Sequence, residues 1–192
     1  FNSAHAQLLH PRKLPLMGLP VAWTPGSNGV IEADVVFVDA VTEAELEKYR
    51  GKIAGRIVLL SEPEDIGEPN SEIFKRYSSD DLGKMKGLDL KHPASNAHGA
   101  PDSIAQNRKR LAFREAVGAF LKQENAKAAL YRSSRDGGLI RVFGHDQRAG
   151  KTFPVPALIL SSEHYQLLQR LIEQGETPRI ALDIDARFHD ED

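Results

Sequence analysis

Apolar residues gather in short dense runs along the chain, and each run carries its own period. Ala33 to Ala40 (ADVVFVDA) is rich in Val and Phe and predicts a strand. Thr42 then opens a helix: Glu45, three residues on, completes a capping box, Leu46 and Tyr49 share a face, and Gly51 ends it. Arg56 to Ser61 (RIVLLS) is a continuous apolar run, the pattern of a strand buried on both faces. A longer helix follows, capped by Asp102 or Ser103 and running to about Glu124. Its Phe113, Val117, Phe120 and Leu121 fall at i, i+4, i+7 and i+8 and line one face. Lys127 to Arg132 (KAALYR) predicts a strand, Asp136-Gly137-Gly138 a turn, and Leu139 to Phe143 a second short strand. Pro154 and Pro156 bracket the entry to Ala157–Leu160 (ALIL), another buried strand. Ser161 or Ser162 caps a helix whose face is Tyr165, Leu168, Leu171 and Ile172, with Gly175 as its stop. His164 lies in the first turn, off that face, and is expected to tolerate Ala. Ile180 to Ala186 (IALDIDA) alternates apolar and mostly acidic residues, as a half-exposed strand at a sheet edge does.

Two stretches lack such runs. Residues 1–30 carry Pro11, Pro15, Pro20 and Pro25 with three glycines, which predicts an extended N-terminal arm without a helix. Residues 62–101 are polar, with Pro63, Pro69, Pro93 and Pro101 and four glycines. They predict an insertion or lid-like excursion, with short helices around Ser71 to Arg76 and Ser79 to Met85, and the first site of proteolytic cutting. The order of elements gives an α/β domain with a mixed sheet over residues 31–188. At 192 residues and 41% hydrophobic, the chain can build one core with appendages.

Charge and cysteine content narrow the function classes. Against 27 acidic residues stand 25 Lys and Arg, a net charge of −2, so nothing electrostatic points to nucleic acid or an anionic membrane as partner. With no cysteine, disulfides, thiolate metal sites and a cysteine nucleophile are excluded. Phe1 in place of an initiator Met, and the acidic end His189-Asp190-Glu191-Asp192, read as cuts through a longer protein; processing of a small mature protein is the alternative.

Catalytic patterns are sparse. The histidines His5, His10, His92, His98, His145, His164 and His189 form no H-E-x-x-H, H-x-H or H-x-D spacing, and there is no Glu-Glu doublet. No G-x-S-x-G elbow is present; Ser133-Ser134 follows a strand, but no helix N-terminus follows to make an oxyanion hole. Gly51-Lys52-Ile53-Ala54-Gly55 lacks the Gly-Lys-Ser/Thr ending of a phosphate loop and precedes a strand. Arg108-Lys109-Arg110 reads as a solvated helix face.

Three segments in order carry a resemblance. They are Gly51 to Leu60 (GKIAGRIVLL), the helix end and strand Lys122 to Tyr131 (KQENAKAALY), and Val155 to Leu160 (VPALIL) with its helix to Gly175. This succession resembles the protease-associated (PA) domain: a glycine-lysine turn into a buried strand, a helix into an alanine-rich strand, then proline, strand, helix and glycine. Leu16 to Gly26 (LMGLPVAWTPG) is similar to the stretch that precedes the PA insertion in bacterial M28-family zinc peptidases. The resemblance covers about residues 14 to 188.

The resemblance implies a PA-like mixed β-sheet of the swivelling β/β/α type, with flanking helices and a long surface insertion. It implies a non-catalytic domain of a secreted or periplasmic amino- or carboxypeptidase, shaping substrate access or protein contacts. The partner would be the peptidase domain of the same polypeptide and, through it, a peptide substrate. No catalytic residue and no metal ligand carries over, and zinc is expected only in the parent's peptidase domain. In relatives the loop after the middle strand faces the active site. Here that is about Ser133 to Lys151, with Arg135, Arg141, His145 and Arg148. Guanidinium groups suit a peptide carboxylate; a solvated hairpin is the other reading of these residues. A stand-alone peptide- or protein-binding module, and a small α/β enzyme with a cryptic site, remain as alternative functions.

Overall fold

Four of the predicted apolar runs form adjacent parallel strands. The computed structural model describes residues 3–60, 76–85, 101–135, 137–142 and 152–187. The chain divides into two units, Phe1–Ile66 with Phe113–Asp192, and Gly67–Ala112. In the first, strands β4 (Ile31–Val38), β5 (Ile57–Leu60), β6 (Ala128–Arg132) and β7 (Ala157–Leu160) run parallel, in that spatial order. All four residues of β5 and of β7 are buried, as expected for parallel strands covered on both faces. Strand β8 (Arg179–Asp185) lies antiparallel beside β4.

Alternate side chains of these strands feed two cores. Ile57, Leu59, Leu130, Leu158 and Leu160 pack on one face with Tyr165 and Leu168 of helix α4 (Ser162–Glu173). Val58, Leu60, Ala129, Ala157 and Ile159 pack on the other with Leu46 of helix α1 (Glu43–Leu46). Val117, Phe120 and Leu121 of helix α3 (Pro101–Gln123) join that second core, with Phe113 partly buried against it. Helix α2 (Ser79–Met85), where one was expected, belongs to the second unit. Residues 71–75 of the other expected helix of the excursion, and most of segment 62–101, lie outside the described residues.

The caps follow the sequence. Glu45 accepts from the N–H groups of Val41 and Thr42 at 2.8 and 3.1 Å. Ser161 is the N-cap of α4, its Oγ accepting from the His164 N–H at 3.3 Å. Beyond its last turn, Gly175 takes a φ of +84°.

Three expectations change. The N-terminal segment is extended, but it supplies sheet: β1 (Ser3–His10), β2 (Leu14–Pro15) and β3 (Gly18–Pro20) complete an eight-stranded sheet in the order β2-β1-β8-β4-β5-β6-β7-β3. Strand β1 pairs antiparallel with β8 from Ser3↔Asp185 to His10↔Arg179. Strand β8 is therefore interior rather than an edge; its alternation records one buried face, not a free side. Finally, Leu139 to Val142 form no strand, and Phe143, the last residue of that expected strand, lies outside the described residues. Both flanks of β6 are taken by β5 and β7, so a hairpin partner finds no open ladder.

The sheet is curled, and one segment bridges its two ends. On one side β2 pairs with β1, and the Leu16 N–H continues that pairing to Ala6 O at 2.9 Å. On the other, β3 pairs with β7 from Gly18↔Leu160 to Pro20↔Leu158, and the Val21 N–H reaches Ala157 O at 3.0 Å. Residues 14–21 are thus a seam. At Gly18 the fit is tight: a Cβ there would stand 2.6 Å from Leu158 Cδ2.

Candidate functional site

In open α/β sheets, ligand sites form outside the carboxyl ends of the parallel strands. At that end here, β6 runs into the loop that begins at Ser133 and β7 runs into α4. Ser133 is fully buried, at 0% exposure. Its Oγ donates to Leu139 O at 2.7 Å and accepts from the N–H groups of Arg135 and Arg141 at 3.3 and 3.2 Å. The hydroxyl folds the loop around itself, with Gly137 and Gly138 at its turn, at φ +64° and +73°.

The first turn of α4 fastens this loop and the seam. Glu163 accepts from the Gly138 N–H at 2.9 Å. Hydrogen bonds from its own backbone N–H and from Gly138 hold the Glu163 carboxyl below the usual carboxylate range. His164 accepts the Met17 N–H on Nδ1 at 2.8 Å, and the Ser161 N–H donates to Met17 O at 2.9 Å. Deeper in, the Tyr165 hydroxyl donates to Leu60 O at the end of β5, and the Arg132 guanidinium lies 6.0 Å from the Tyr165 ring centroid. His164, expected to tolerate Ala because it lies off the apolar face, accepts a hydrogen bond from the seam.

Of the four loop residues singled out in the sequence, the structure brings Arg135 and Arg141 together. Both give their N–H to Ser133 Oγ, and both are exposed. His145 and Arg148 lie outside the described residues. Ser133 and His164 were missed as organisers. A serine between a strand and a Gly-Gly turn was a usable signal; the His164–Met17 bond, across 147 residues, had none in the sequence.

Next to the loop is an apolar cleft of about 430 Å³ lined by Leu19, Trp23, Val142 and Arg187 among others. Trp23 occupies the third position of a turn closed by the Thr24 N–H on Val21 O at 3.2 Å, with φ +63°. That conformation is costly for a bulky side chain, and the residue is 44% exposed. Among the described residues no three His, Asp or Glu side chains converge on a point where a metal ion could sit.

These features define a mixed α/β fold, a curled sheet with helices on both faces, consistent with a PA-like α/β domain. No protein-family model and no curated protein sequence matches the chain. Solved structures do. A peptidase M28 precursor from Shewanella amazonensis SB2B superposes with a TM-score of 0.53 at 15% identity, over 95% of this chain and 34% of that one. An aminopeptidase from Aneurinibacillus sp. strain AM-1 superposes with a TM-score of 0.50 at 12% identity, over 95% of this chain and 30% of that one. The chain thus spans about a third of the length of these peptidases, and at such identities the likeness is one of fold.

Proposed function

We propose that the chain is a protease-associated domain of an exported M28-type zinc exopeptidase, itself without catalytic residues, and that it shapes the approach to a site on another domain. The observation that carries this is the coverage: nearly the whole chain aligns, but with only about a third of each peptidase. Two features of the site fit an accessory role. Ser133, the serine that follows β6, spends its hydroxyl on three bonds to loop backbone. Leu19, Trp23 and Val142 offer exposed apolar surface beside that loop, as a face built to meet another surface does. The exposed Arg135 and Arg141 would then present guanidinium groups to a peptide carboxylate.

The test is hydrolysis. The chain is assayed against aminoacyl and peptidyl chromogenic substrates with and without added zinc, alongside the polypeptide encoded by its continuous reading frame. Turnover is expected only from a longer product that carries an H-x-D pair and a Glu-Glu doublet. Chelator-sensitive turnover by the chain alone would overturn the proposal, and so would a reading frame that stops without those motifs.

A further inference from the structure

The seam that joins the two ends of the curled sheet depends on an acceptor that can be switched off by a proton. We infer that His164 is a protonation-sensitive latch on this seam. An imidazole nitrogen accepts a hydrogen bond only while it carries no proton. The Met17 N–H on Nδ1 at 2.8 Å therefore places the ring's proton on Nε2. In the imidazolium both nitrogens carry protons, and Nδ1–H then faces the Met17 N–H, donor against donor.

Met17 is the weakest point of the seam. It stands between β2, of two residues, and β3, of three, each too short to hold by its own ladder. Its side chain is 53% exposed and adds little burial. Its two backbone groups go to α4: the N–H to His164, the C=O to the Ser161 N–H. Loss of the first leaves the second to hold the junction.

The charged groups around the latch are few. Segment 14–20 carries none. The first turn of α4 has Glu163, whose carboxylate is engaged by Gly138. Strand β6 ends in Arg132, stacked over Tyr165, and the loop contributes Arg135 and Arg141. Strand β4, on which α4 also packs, carries Glu32 and Asp34, and Asp34 pairs with Arg56 and Arg179; of the other groups Glu163 is the one anion, and it is held by Gly138. Protonation of His164 therefore frees the Met17 N–H and loosens the β2–β3 junction, while β5, β6 and β7 keep their pairing.

Amide hydrogen exchange followed by NMR tests this, with rates divided by the intrinsic rate at each pH and His164 titrated through its ring signals over about pH 8 to 5. The protection factor of the Met17 amide is expected to fall about three- to tenfold, the worth of one such bond, with the midpoint of His164 itself. Amides of β5 and β6 are expected to stay level. In His164→Asn, whose Oδ1 stands where Nδ1 stood and does not titrate in this range, the fall is expected to vanish. Constant Met17 protection across the wild-type titration would overturn the latch, whether or not the variant folds. An equal fall in His164→Asn would overturn it as well.

Discussion

Ser133→Ala removes one oxygen from the site and nothing else. Oγ makes three bonds: a short one to Leu139 O at 2.7 Å and longer ones from Arg135 and Arg141 N–H at 3.3 and 3.2 Å. The short bond contributes a net stabilisation of about 1 kcal/mol, and each backbone group left without a partner adds more to the extent that water cannot reach it. Arg135, Leu139 and Arg141 are exposed residues, so their freed groups are partly rehydrated and the full desolvation cost does not apply three times. The expected loss is about 1 to 3 kcal/mol, against a total stability of ~5 to 15 kcal/mol. Where loop opening precedes global unfolding, the loss appears in local exchange rather than in the melt. The Arg141 amide should then open about 5- to 150-fold more often. Urea melts and amide exchange are run beside Ser134→Ala, the exposed neighbour, where a change within about 0.5 kcal/mol is expected. Ser133→Ala matching Ser134→Ala in both measurements would refute the view that this hydroxyl organises the loop.

Two further predictions concern α4. Leu168 is fully buried against Leu158 and Leu160 while Leu171 is half-buried, so Leu168→Ala should cost about 3 to 5 kcal/mol in a urea melt and Leu171→Ala clearly less; equal costs would put the helix phase in error. Glu163 has its folded pKa lowered by its own N–H and by Gly138, so what it contributes is present above the ordinary carboxylate value of about 4.3 and is lost as pH falls through the lower folded value. Protection of the Gly138 amide should hold steady above that value and drop below it, whereas Glu163→Gln, still an acceptor, should remove the drop; a drop shared by the variant would sink the assignment.

What was legible in the sequence follows from where each element draws its stability. Strands β5 and β7 are continuous apolar runs because both faces are covered, and α4 shows a period of 3.6 because one face is. These signals are local. Strand β1 has no such signal: of Ser3–His10 only Leu8 is buried, and the segment is a strand because β8, far along the chain, offers it a ladder. The mistaken edge for β8 and the mistaken strand at Leu139 have the same root. Sheet occupancy decides whether an extended segment can pair, and occupancy is a property of the whole topology. In the site, Arg135 and Arg141 were visible as loop cations, but the group that gathers them was not. The sequence marks Ser133 only as a candidate nucleophile.

The polar side chains that arrange this end of the sheet share one habit. Ser133, Ser161, Glu163 and His164 all accept from backbone N–H groups, and none of these bonds needs a particular side chain on the donor. The specificity lies in the acceptor and in the place where the backbone passes. One turn of α4 therefore carries the information for both the seam and the loop: Glu163 fixes the loop at Gly138, His164 and the Ser161 N–H fix the seam at Met17. The exposed side chains on the loop and on the seam are correspondingly free to vary, while Leu16, Gly18 and Val21 are held by packing. Met17, Leu19, Leu139, Arg135 and Arg141 are all exposed. Exposed residues that take no part in holding the backbone, on a loop and seam fixed by a few buried or helix-borne acceptors, can change without loss of the scaffold.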